Sequence, residues 1–393
     1  MWGERGLPRF SLYLHIRVEE NMAAYNIPTL PLPFDLESKE VMRQLVSANR
    51  RLAELRGVAL TIPNESILIS TLTLQEARES SLVENIVTTQ DDLYRSDVDS
   101  RDILTNAAAK EVLDYRAAIL HGFDLVRRSH ILSCNTIKEI QQALEHNKAG
   151  FRSVPGTMLR CDDGEVVYTP PQDRATIVDL MGNLEMFIND PTVSDLDPLV
   201  KIAIVHHQFE SIHPFYDGNG RTGRIVNILM LVTNDLLDLP ILYLSRYITR
   251  NKGEYYRLIQ AIRDKNSDNK KEWQEWILFI LKGIEVTSIE TIDLVKRISA
   301  LMSDYKMKLR PAFGKQYKHE LLNNLFKHPY TKIEHLQNDL QVSRQTASKY
   351  LDKIQQLGLI DKRRIGKDNY YINAALVEIL MNPHVMLSDR ANT

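Results

Sequence analysis

The stretch that decides the fold reads His213-Pro214-Phe215-Tyr216-Asp217-Gly218-Asn219-Gly220-Arg221-Thr222-Gly223-Arg224. It places a base, an acid, a glycine-flanked turn and two arginines at fixed spacing. The segment before it predicts a helix, because Asp197 is a suitable cap, Pro198 suits the first helical position, and apolar residues recur at helical intervals up to Ile212. The segment after it, residues 225–232, is almost entirely apolar and predicts a second, buried helix. The stretch therefore joins two predicted helices.

These residue types are those of a phosphate-binding site. Gly218, Asn219 and Gly220 accept backbone angles closed to most residues, so successive amide N–H groups can converge on an anion at the start of the second helix. Arg221 and Arg224 lie three residues apart in the first turn of that helix. Their guanidinium groups can grip different phosphates of a polyphosphate. The pattern therefore predicts a polyphosphate cradle.

The other end of the stretch supplies an acid and a base. Asp217 could hold a hard divalent cation such as Mg²⁺. His213 could accept a proton from an incoming hydroxyl, because an imidazole titrates near neutral pH. An EF-hand calcium loop is excluded, since its pattern requires Gly where Thr222 stands and Glu where Ile228 stands. A transition-metal site remains as a less favoured alternative, built from His206, His207, Glu210 and His213.

The stretch resembles the signature of the Fic/Doc family, His-Pro-Phe-x-Asp/Glu-Gly-Asn-Gly-Arg-x-x-Arg, at every specified position. The resemblance implies a protein adenylyltransferase, which transfers AMP from ATP to a hydroxyl side chain of a target protein and releases pyrophosphate. It implies His213 as the general base and Asp217 as the Mg²⁺ ligand. Members that phosphorylate their targets carry Lys at the second glycine of the signature, which is Gly220 here, so AMP transfer is favoured. The implied nucleotide-binding set is Glu84, His213, Gly218, Asn219, Gly220, Arg221, Thr222, Gly223, Arg224 and Tyr255.

Two further segments extend the resemblance on either side of the signature. Residues 150–172 have a β-rich, turn-punctuated composition with Asp163-Gly164 as a hairpin signal, and they resemble the family's flap, which docks a target protein by strand pairing. Tyr255 falls where relatives place an aromatic residue near the nucleotide base. Arg263 stands where some relatives have an asparagine that contacts adenosine, so that contact is not predicted.

A second pattern, far upstream, resembles the family's built-in inhibitory element. Ser80-Ser81-Leu82-Val83-Glu84-Asn85 fits Ser/Thr-x-x-x-Glu-Gly/Asn within a helix predicted from Leu74 to Val87. The pattern alone is weak, because a solvated Glu on a helix is common. Together with the signature, it implies that Glu84 pairs with Arg224 and keeps that arginine from the γ-phosphate of ATP. Ser80, Glu84 and Asn85 are therefore the predicted inhibitory residues.

The predicted fold is mainly α-helical: a Fic-type bundle with a β-hairpin flap, followed by a winged helix-turn-helix domain. Residues 1–29 are predicted to be an extension that is poorly ordered in part, with 1–21 bearing no family likeness. Residues 30–91 are predicted as the helical region with the inhibitory segment and 92–269 as the catalytic core. Residues 270–318 predict long helices, broken or kinked at Gly283, that close the bundle or mediate homodimer formation. Residues 319–393 complete the chain.

The last of these segments carries the helix-turn-helix pattern. Residues 331–340 predict one helix, Ser343 caps a second, and 359–372 predict two strands around a Gly-Lys-Asp-Asn tip. In a DNA-binding protein, the groove-facing and phosphate-facing residues would be Arg344, Gln345, Thr346, Lys349, Lys362, Arg363, Arg364 and Lys367. Residues 331–372 carry eight Lys or Arg and five Asp or Glu, a net charge of only +3. Binding of DNA and docking of a protein therefore stay equally open.

Composition limits the other function classes. The 393 residues predict two or three domains, and 49 Lys plus Arg against 51 Asp plus Glu exclude an overall nucleic-acid coat. Two cysteines, Cys134 and Cys161, indicate neither a zinc cluster nor a disulfide framework and fit a reducing cytoplasm. No apolar run approaches the length of a membrane span.

Two hypotheses follow. The first is a self-inhibited protein adenylyltransferase that uses ATP and Mg²⁺. The second is a winged-helix DNA-binding regulator whose Fic core senses nucleotide. The intact His213 favours the enzyme, because a nucleotide sensor does not require the base.

Overall fold

The computed structural model of the chain describes residues 25–98, 106–161, 164–265, 268–365 and 367–382. Within these ranges the protein is mainly α-helical, as predicted, and its strands are few and short. The helices are α1 (Lys39–Ala59), α2 (Glu65–Val83), α3 (Gln90–Val98), α4 (Ala107–Ser129), α5 (Cys134–Glu145), α6 (Arg174–Asn189), α7 (Pro198–Ile212), α8 (Asn219–Thr233), α9 (Ser245–Arg250), α10 (Lys252–Lys265), α11 (Lys270–Phe313), α12 (His319–Lys327), α13 (Ile333–Leu340), α14 (Arg344–Gln356) and α15 (Ala374–Met381). The strands are β1 (Leu159–Arg160), β2 (Val166–Tyr168), β3 (Tyr330–Thr331), β4 (Asp361–Ile365) and β5 (Asp368–Ile372). None of the described helices is long and apolar enough to cross a lipid bilayer.

The described residues form two compact units that each combine separate parts of the chain. The first unit draws on Met1–Ala53, Glu76–Val87 and Asp114–Thr287. The second draws on Glu54–Gln75, Thr88–Leu113 and Ser288–Thr393. Helices α1, α2, α4 and α11 contribute residues to both units, so the units are not continuous segments of sequence. The sequential domain boundaries stay a prediction.

In the first unit, α7 and α8 pack side by side, with α6 against α7 and α5 against α8. The capping prediction for α7 is confirmed, since the Asp197 carboxylate accepts from the Leu199 N–H at 2.8 Å and Pro198 is the first helical residue. Every residue of α7 after Pro198 is buried. Helix α8 starts at Asn219, earlier than the apolar run predicted, and it is buried as far as Leu231. The signature therefore lies between two helices that are buried in the core.

Two predictions about long helices were wrong. The inhibitory segment was expected on a helix from Leu74 to Val87, whereas α2 runs from Glu65 to Val83. Gly283 was expected to break or kink α11, yet the helix is continuous from Lys270 to Phe313. A methyl group on Gly283 would lie only 2.8 Å from Cδ1 of Tyr247. The glycine therefore permits close packing against α9 and does not break the helix.

The flap prediction is confirmed as a hairpin. Strands β1 and β2 pair antiparallel, with Leu159 opposite Tyr168 and Arg160 opposite Val166. Asp163 of the predicted turn lies outside the described residues, while Gly164 has the positive φ of 88° that favours glycine. The hairpin is short, because β1 has two residues and β2 has three.

The end of the chain has the order of elements that a winged helix-turn-helix requires: α12, β3, α13, α14, β4 and β5. The sheet is antiparallel with strand order β3-β5-β4. The Ser343 cap is confirmed, because its hydroxyl accepts from the Thr346 N–H. Thr331 lies in β3 opposite Tyr371, so the first helix starts at Ile333 and not at 331. Asp368 and Asn369 lie in β5 rather than in the tip.

Candidate active site

His213 ends α7 in a left-handed backbone conformation, with φ 49° and ψ 59°. Such angles are uncommon for a residue with a Cβ atom. The amide of His213 donates to the Phe209 carbonyl at 2.9 Å, which closes the last turn of the helix. The side chain is 7% exposed. The turn that follows the helix therefore places the imidazole in a nearly enclosed position.

The loop from α7 to α8 is held by the amide side chain of Asn219. Its Oδ1 accepts from the Phe215 N–H at 2.8 Å and its Nδ2 donates to the Phe215 carbonyl at 2.9 Å. Phe215 is fully buried, as an anchor of the loop must be. The side chain of Asn219 therefore fixes the backbone of the loop.

The first turn of α8 holds the residues that were predicted to form a phosphate cradle. Gly218 caps the helix with φ 74° and offers no side chain to the free N–H groups. The Asp217 carboxylate accepts from the Gly218 N–H at 2.7 Å, and its residue is exposed. A methyl group on Gly223 would lie 3.0 Å from Cδ1 of Phe209, so this glycine allows α8 to approach α7 closely. Thr222 is fully buried between them.

Arg224 is engaged by two of the predicted inhibitory residues. Its Nε donates to the Ser80 hydroxyl at 2.7 Å, and its Nη2 donates to the Ser80 carbonyl at 3.1 Å. The same Nη2 lies 2.8 Å from Oε1 of Glu84. The arginine side chain is 3% exposed and that of Glu84 is 18% exposed, so water screens this ion pair little. The predicted contact between Glu84 and Arg224 is therefore present.

The inhibitory pattern corresponds to the end of a helix. Asn85 follows α2 with φ 61°, its amide donates to the Leu82 carbonyl, and the Ile86 amide donates to the Ser81 carbonyl. These two bonds around a left-handed residue form a Schellman motif, where Gly and Asn are favoured. The Gly/Asn of the pattern thus ends the helix at the point that presents Glu84. Asn85 acts through its backbone, while its side chain accepts from Lys252.

A second carboxylate engages Arg221, which together with Arg224 we call the clamp arginines. Sequence reasoning missed this contact. Oε1 of Glu145 lies 2.8 Å from Nη2 of Arg221, with side-chain exposures of 15% and 10%. A methyl group on Gly218 would lie 2.5 Å from the same carboxylate oxygen, and one on Gly220 would lie 2.5 Å from Oε1 of Glu84. Both ends of the cradle therefore face a carboxylate. Glu145 is the last residue of α5, and no local pattern marks it.

Burial sets the protonation of the site. Burial and, to a smaller extent, the positive charges of Arg152 and Arg263 lower the pKa of His213 to about 3. The imidazole is therefore neutral at pH 7 and able to accept a proton. Burial also raises the pKa of Glu210 to about 7 against the opposing charge of Arg224, with Glu84 adding to the rise.

The two residues considered for contact with the nucleotide, Tyr255 and Arg263, both have partners within the protein. Tyr255 is 1% exposed, and its hydroxyl lies 2.8 Å from Nε2 of His206 within an aromatic cluster that includes Trp276. The core therefore accounts for Tyr255, and its assignment to the base gains no support. Arg263, which replaces the family asparagine, donates to the Glu210 carbonyl at 3.1 Å. Arg263 therefore bonds a backbone carbonyl at the end of α7, and the sequence did not predict this contact.

The alternative of a transition-metal site is wrong. His207 has its Nε2 3.2 Å from the Ile259 carbonyl, and the ring packs on Trp273. Within the described ranges, no three His, Cys, Asp or Glu side chains converge in a way that could hold a metal ion. His206 and His207 are neutral core residues, since burial lowers the pKa of each.

Comparison with known families places three matches in succession along the chain. The Fic/DOC family N-terminal model matches residues 42–124, and the Fic/DOC family model matches residues 131–231. The model described as Protein adenylyltransferase SoFic-like, C-terminal domain matches residues 301–376. The second match contains the whole signature.

Curated relatives and solved structures agree with these matches. The chain is 25% identical to Protein adenylyltransferase Fic of Drosophila erecta over 195 residues, which are 44% of this chain and 39% of the relative. It is 34% identical to Protein adenylyltransferase fic-1 of Caenorhabditis briggsae over 124 residues, which are 31% of this chain and 24% of the relative. The chain thus spans well under half the length of these relatives. A Fic family protein from Desulfovibrio desulfuricans shares the fold, with a TM-score of 0.53 at 18% identity over 87% of this chain and 98% of that one. The signature geometry and the three successive matches lead to one conclusion: residues 131–231 of this chain are a Fic/DOC family domain.

Proposed function

We propose that this chain is a protein adenylyltransferase that transfers AMP from ATP to a hydroxyl side chain of a target protein. The observation that carries the proposal is the complete site at the corner between α7 and α8. A neutral, buried base lies at one end of the loop, and two arginines lie in the first two turns of α8 at the other. A simple turn between helices requires neither group.

The proposed step forms one bond and breaks one. The target hydroxyl oxygen attacks the α-phosphorus of ATP, the bond from that phosphorus to the β-phosphate oxygen breaks, and pyrophosphate leaves. His213 takes the proton of the attacking hydroxyl. The amides at the start of α8, together with Arg221 and Arg224, would stabilise the negative charge of the phosphates. Gly220 keeps this surface free of a side chain.

The residues present fit a magnesium ion brought in with the nucleotide. Mg²⁺ is commonly held by one or two carboxylates together with substrate phosphates. Asp217 is an exposed carboxylate beside the amides that start α8, and it would supply the protein ligand. The bound ion would neutralise phosphate charge.

The target protein would dock on the flap. Strands β1 and β2 form a two-stranded sheet of the described chain, and an extended segment could add to it through backbone hydrogen bonds. Such pairing recognises backbone more than side chains. The Tyr, Ser or Thr identity of the acceptor therefore depends on how far the hydroxyl reaches toward His213.

The described state would be self-inhibited. Glu84 occupies Arg224, and Glu145 occupies Arg221, so phosphate groups must displace carboxylates from both clamp arginines. A charged partner already bound to an arginine competes directly with a nucleotide phosphate. The wild-type chain would therefore transfer AMP slowly.

The isotope position in ATP tests the reaction class. Purified Glu84→Gly protein is incubated with Mg²⁺, cell lysate and ATP labelled on either the α- or the γ-phosphate. We expect this protein to add bound label, over a lysate without it, from α-labelled ATP only, because AMP retains the α-phosphorus. Added label from γ-labelled ATP alone would indicate phosphate transfer, and no added label from either would favour a nucleotide sensor.

The pH dependence of the rate tests the state of the base. Because the pKa of His213 lies at about 3, the value of kcat/KM for the Glu84→Gly protein should not fall as pH decreases from 7 to 5.5. A histidine base with the ordinary pKa of 6.5 would lose about tenfold at pH 5.5. The rate of label transfer in buffers of constant ionic strength gives the profile. A fall that is centred near pH 6.5 would contradict the burial of the imidazole in the active form.

The C-terminal elements carry no second proposal. Arg344 lies 3.3 Å from Glu334, and Lys362 lies 3.0 Å from Asp352, so two of the predicted DNA-facing cations have acidic partners on the protein. DNA binding and protein docking both stay predictions for this region.

A further inference from the structure

The last turn of α7 ends in carbonyl groups that an α-helix cannot satisfy itself. Three side chains from outside α7 bond them. Nη2 of Arg263 donates to the Glu210 carbonyl at 3.1 Å, and the Tyr168 hydroxyl donates to the Ser211 carbonyl at 2.8 Å. Arg152 donates from Nη2 to the Ile212 carbonyl at 3.3 Å and from Nε to the His213 carbonyl at 2.7 Å. Four successive carbonyls thus have side-chain donors.

These three side chains form one buried group, which we call the carbonyl cap. Arg152 is fully buried, and Tyr168 and Arg263 are each 6% exposed. The Arg263 guanidinium lies 3.9 Å from the centre of the Tyr168 ring, so the two donors also bind each other. Two guanidinium charges at a helix C-terminus are favourable with the helix dipole. The burial of two arginines is costly, and their bonds to these carbonyls offset part of that cost.

The carbonyl cap contacts a backbone segment whose conformation is unfavourable. His213 has left-handed angles that a residue with a Cβ atom disfavours, and its own carbonyl accepts from Arg152. The amide of Arg152 also donates to the Pro214 carbonyl at 2.8 Å. The donors therefore bond the backbone on both sides of the His213 peptide and restrain the direction of its side chain.

The same bonds attach both ends of the flap. Arg152 precedes the hairpin and Tyr168 is the last residue of β2, so residues 153–167 lie between two of the three donors. The surface that would align a target segment and the base that would receive its proton thus share one support.

We propose that Arg152, Tyr168 and Arg263 are positioning residues for the AMP transfer proposed above, on which this inference rests. They hold His213 at the angle needed to take the acceptor proton, and they couple that angle to the flap. They touch no nucleotide group in this role. A loss of the cap should therefore lower the maximal rate and leave the binding of MgATP nearly unchanged.

The rate test uses the full-length Glu84→Gly protein as parent, α-labelled MgATP and a fixed concentration of lysate protein. Tyr168→Phe removes one hydroxyl and keeps the ring over Arg263. We expect its maximal rate to fall about fivefold, as for the loss of one hydrogen bond. Arg152→Met should lower the maximal rate about 100-fold, since small displacements of a catalytic group cost that much. Arg152→Lys keeps one donor group, so its maximal rate should lie between those of Arg152→Met and the parent. The MgATP concentration that gives half the maximal rate should change by less than about twofold in all three variants.

The matched control is Tyr305→Phe in the other unit, where a buried tyrosine hydroxyl donates to the Leu359 carbonyl at 2.6 Å. It removes the same kind of bond and should leave the maximal rate unchanged. The proposal is overturned if Tyr168→Phe and Arg152→Met fold with the thermal midpoint of the parent and keep its maximal rate. It is also overturned if the maximal rate is kept and the MgATP concentration needed for half that rate rises, because the cap would then support nucleotide binding.

Amide hydrogen exchange separates a failure of this inference from a failure of the proposed function. In peptides covering residues 209–217, exchange should speed up by about tenfold or more in Tyr168→Phe and Arg152→Met, in keeping with weakened local structure. The Tyr305→Phe protein should exchange there like the parent. This readout needs no transferred label, so it tests the cap even if the parent proves inactive. Unchanged exchange in both cap variants would refute the inference whatever the parent's activity.

Discussion

Replacing Glu84 with glycine is expected to raise the initial rate of AMP transfer by about 10- to 100-fold over the wild-type chain. The carboxylate makes a 2.8 Å bond to a buried guanidinium, and a hydrogen bond between charged groups contributes about 1.5–3 kcal/mol. ATP must displace that bond to reach Arg224, and each 1.4 kcal/mol is about tenfold in binding of the productive form. Label transferred from α-labelled ATP in parallel reactions measures the effect.

The control for this substitution lies one residue further along. Asn85→Gly keeps Glu84 and places glycine at a φ of 61°, which glycine adopts without strain. We expect the helix end to persist and the rate to stay at the wild-type level. If Glu84→Gly is no faster than Asn85→Gly, the contact between Glu84 and Arg224 does not inhibit the enzyme.

The second large effect is expected at the base. His213→Ala in the Glu84→Gly protein should lower the rate by about 100- to 10,000-fold, the range for loss of a general base. The affinity for a fluorescent ATP analogue should stay within about twofold, because the phosphate cradle lies on α8. Rapid-quench measurement of label transfer and fluorescence titration give the two quantities.

The matched control for the base is His121→Ala, which removes a partly exposed histidine that pairs with Glu139 on the surface. It should leave both the rate and the affinity unchanged. A His213→Ala protein that still transfers AMP at the parent rate would mean that another group receives the acceptor proton.

Much of this site was predictable because its parts are close in sequence. Asp197 and Pro198 start α7 by local capping rules, and the glycines around Asn219 follow from the angles of a tight loop. The contact between Glu84 and Arg224 spans 140 positions and was predicted through resemblance, not through any physical signal in the upstream segment. The residue types of the signature thus predicted the cradle, and the resemblance to the family predicted the contact of Glu84 with Arg224.

The missed contacts are those that only the packed chain creates. Glu145 meets Arg221 across 76 positions, and Arg152 meets the end of α7 across about 60. Neither residue stands in a pattern that differs from an ordinary surface charge. The error at Gly283 has a related cause, because a glycine that permits close packing looks the same in sequence as one that ends a helix.

The Schellman end of α2 has a consequence for regulation. The carboxylate that blocks Arg224 belongs to the residue that closes this helix, so its position depends on one terminal turn. Terminal turns open at a far lower free energy than whole domains do. An effector that frays this turn would free the arginine and leave the hydrophobic interior intact, so weak, reversible binding would adjust the rate of the proposed AMP transfer.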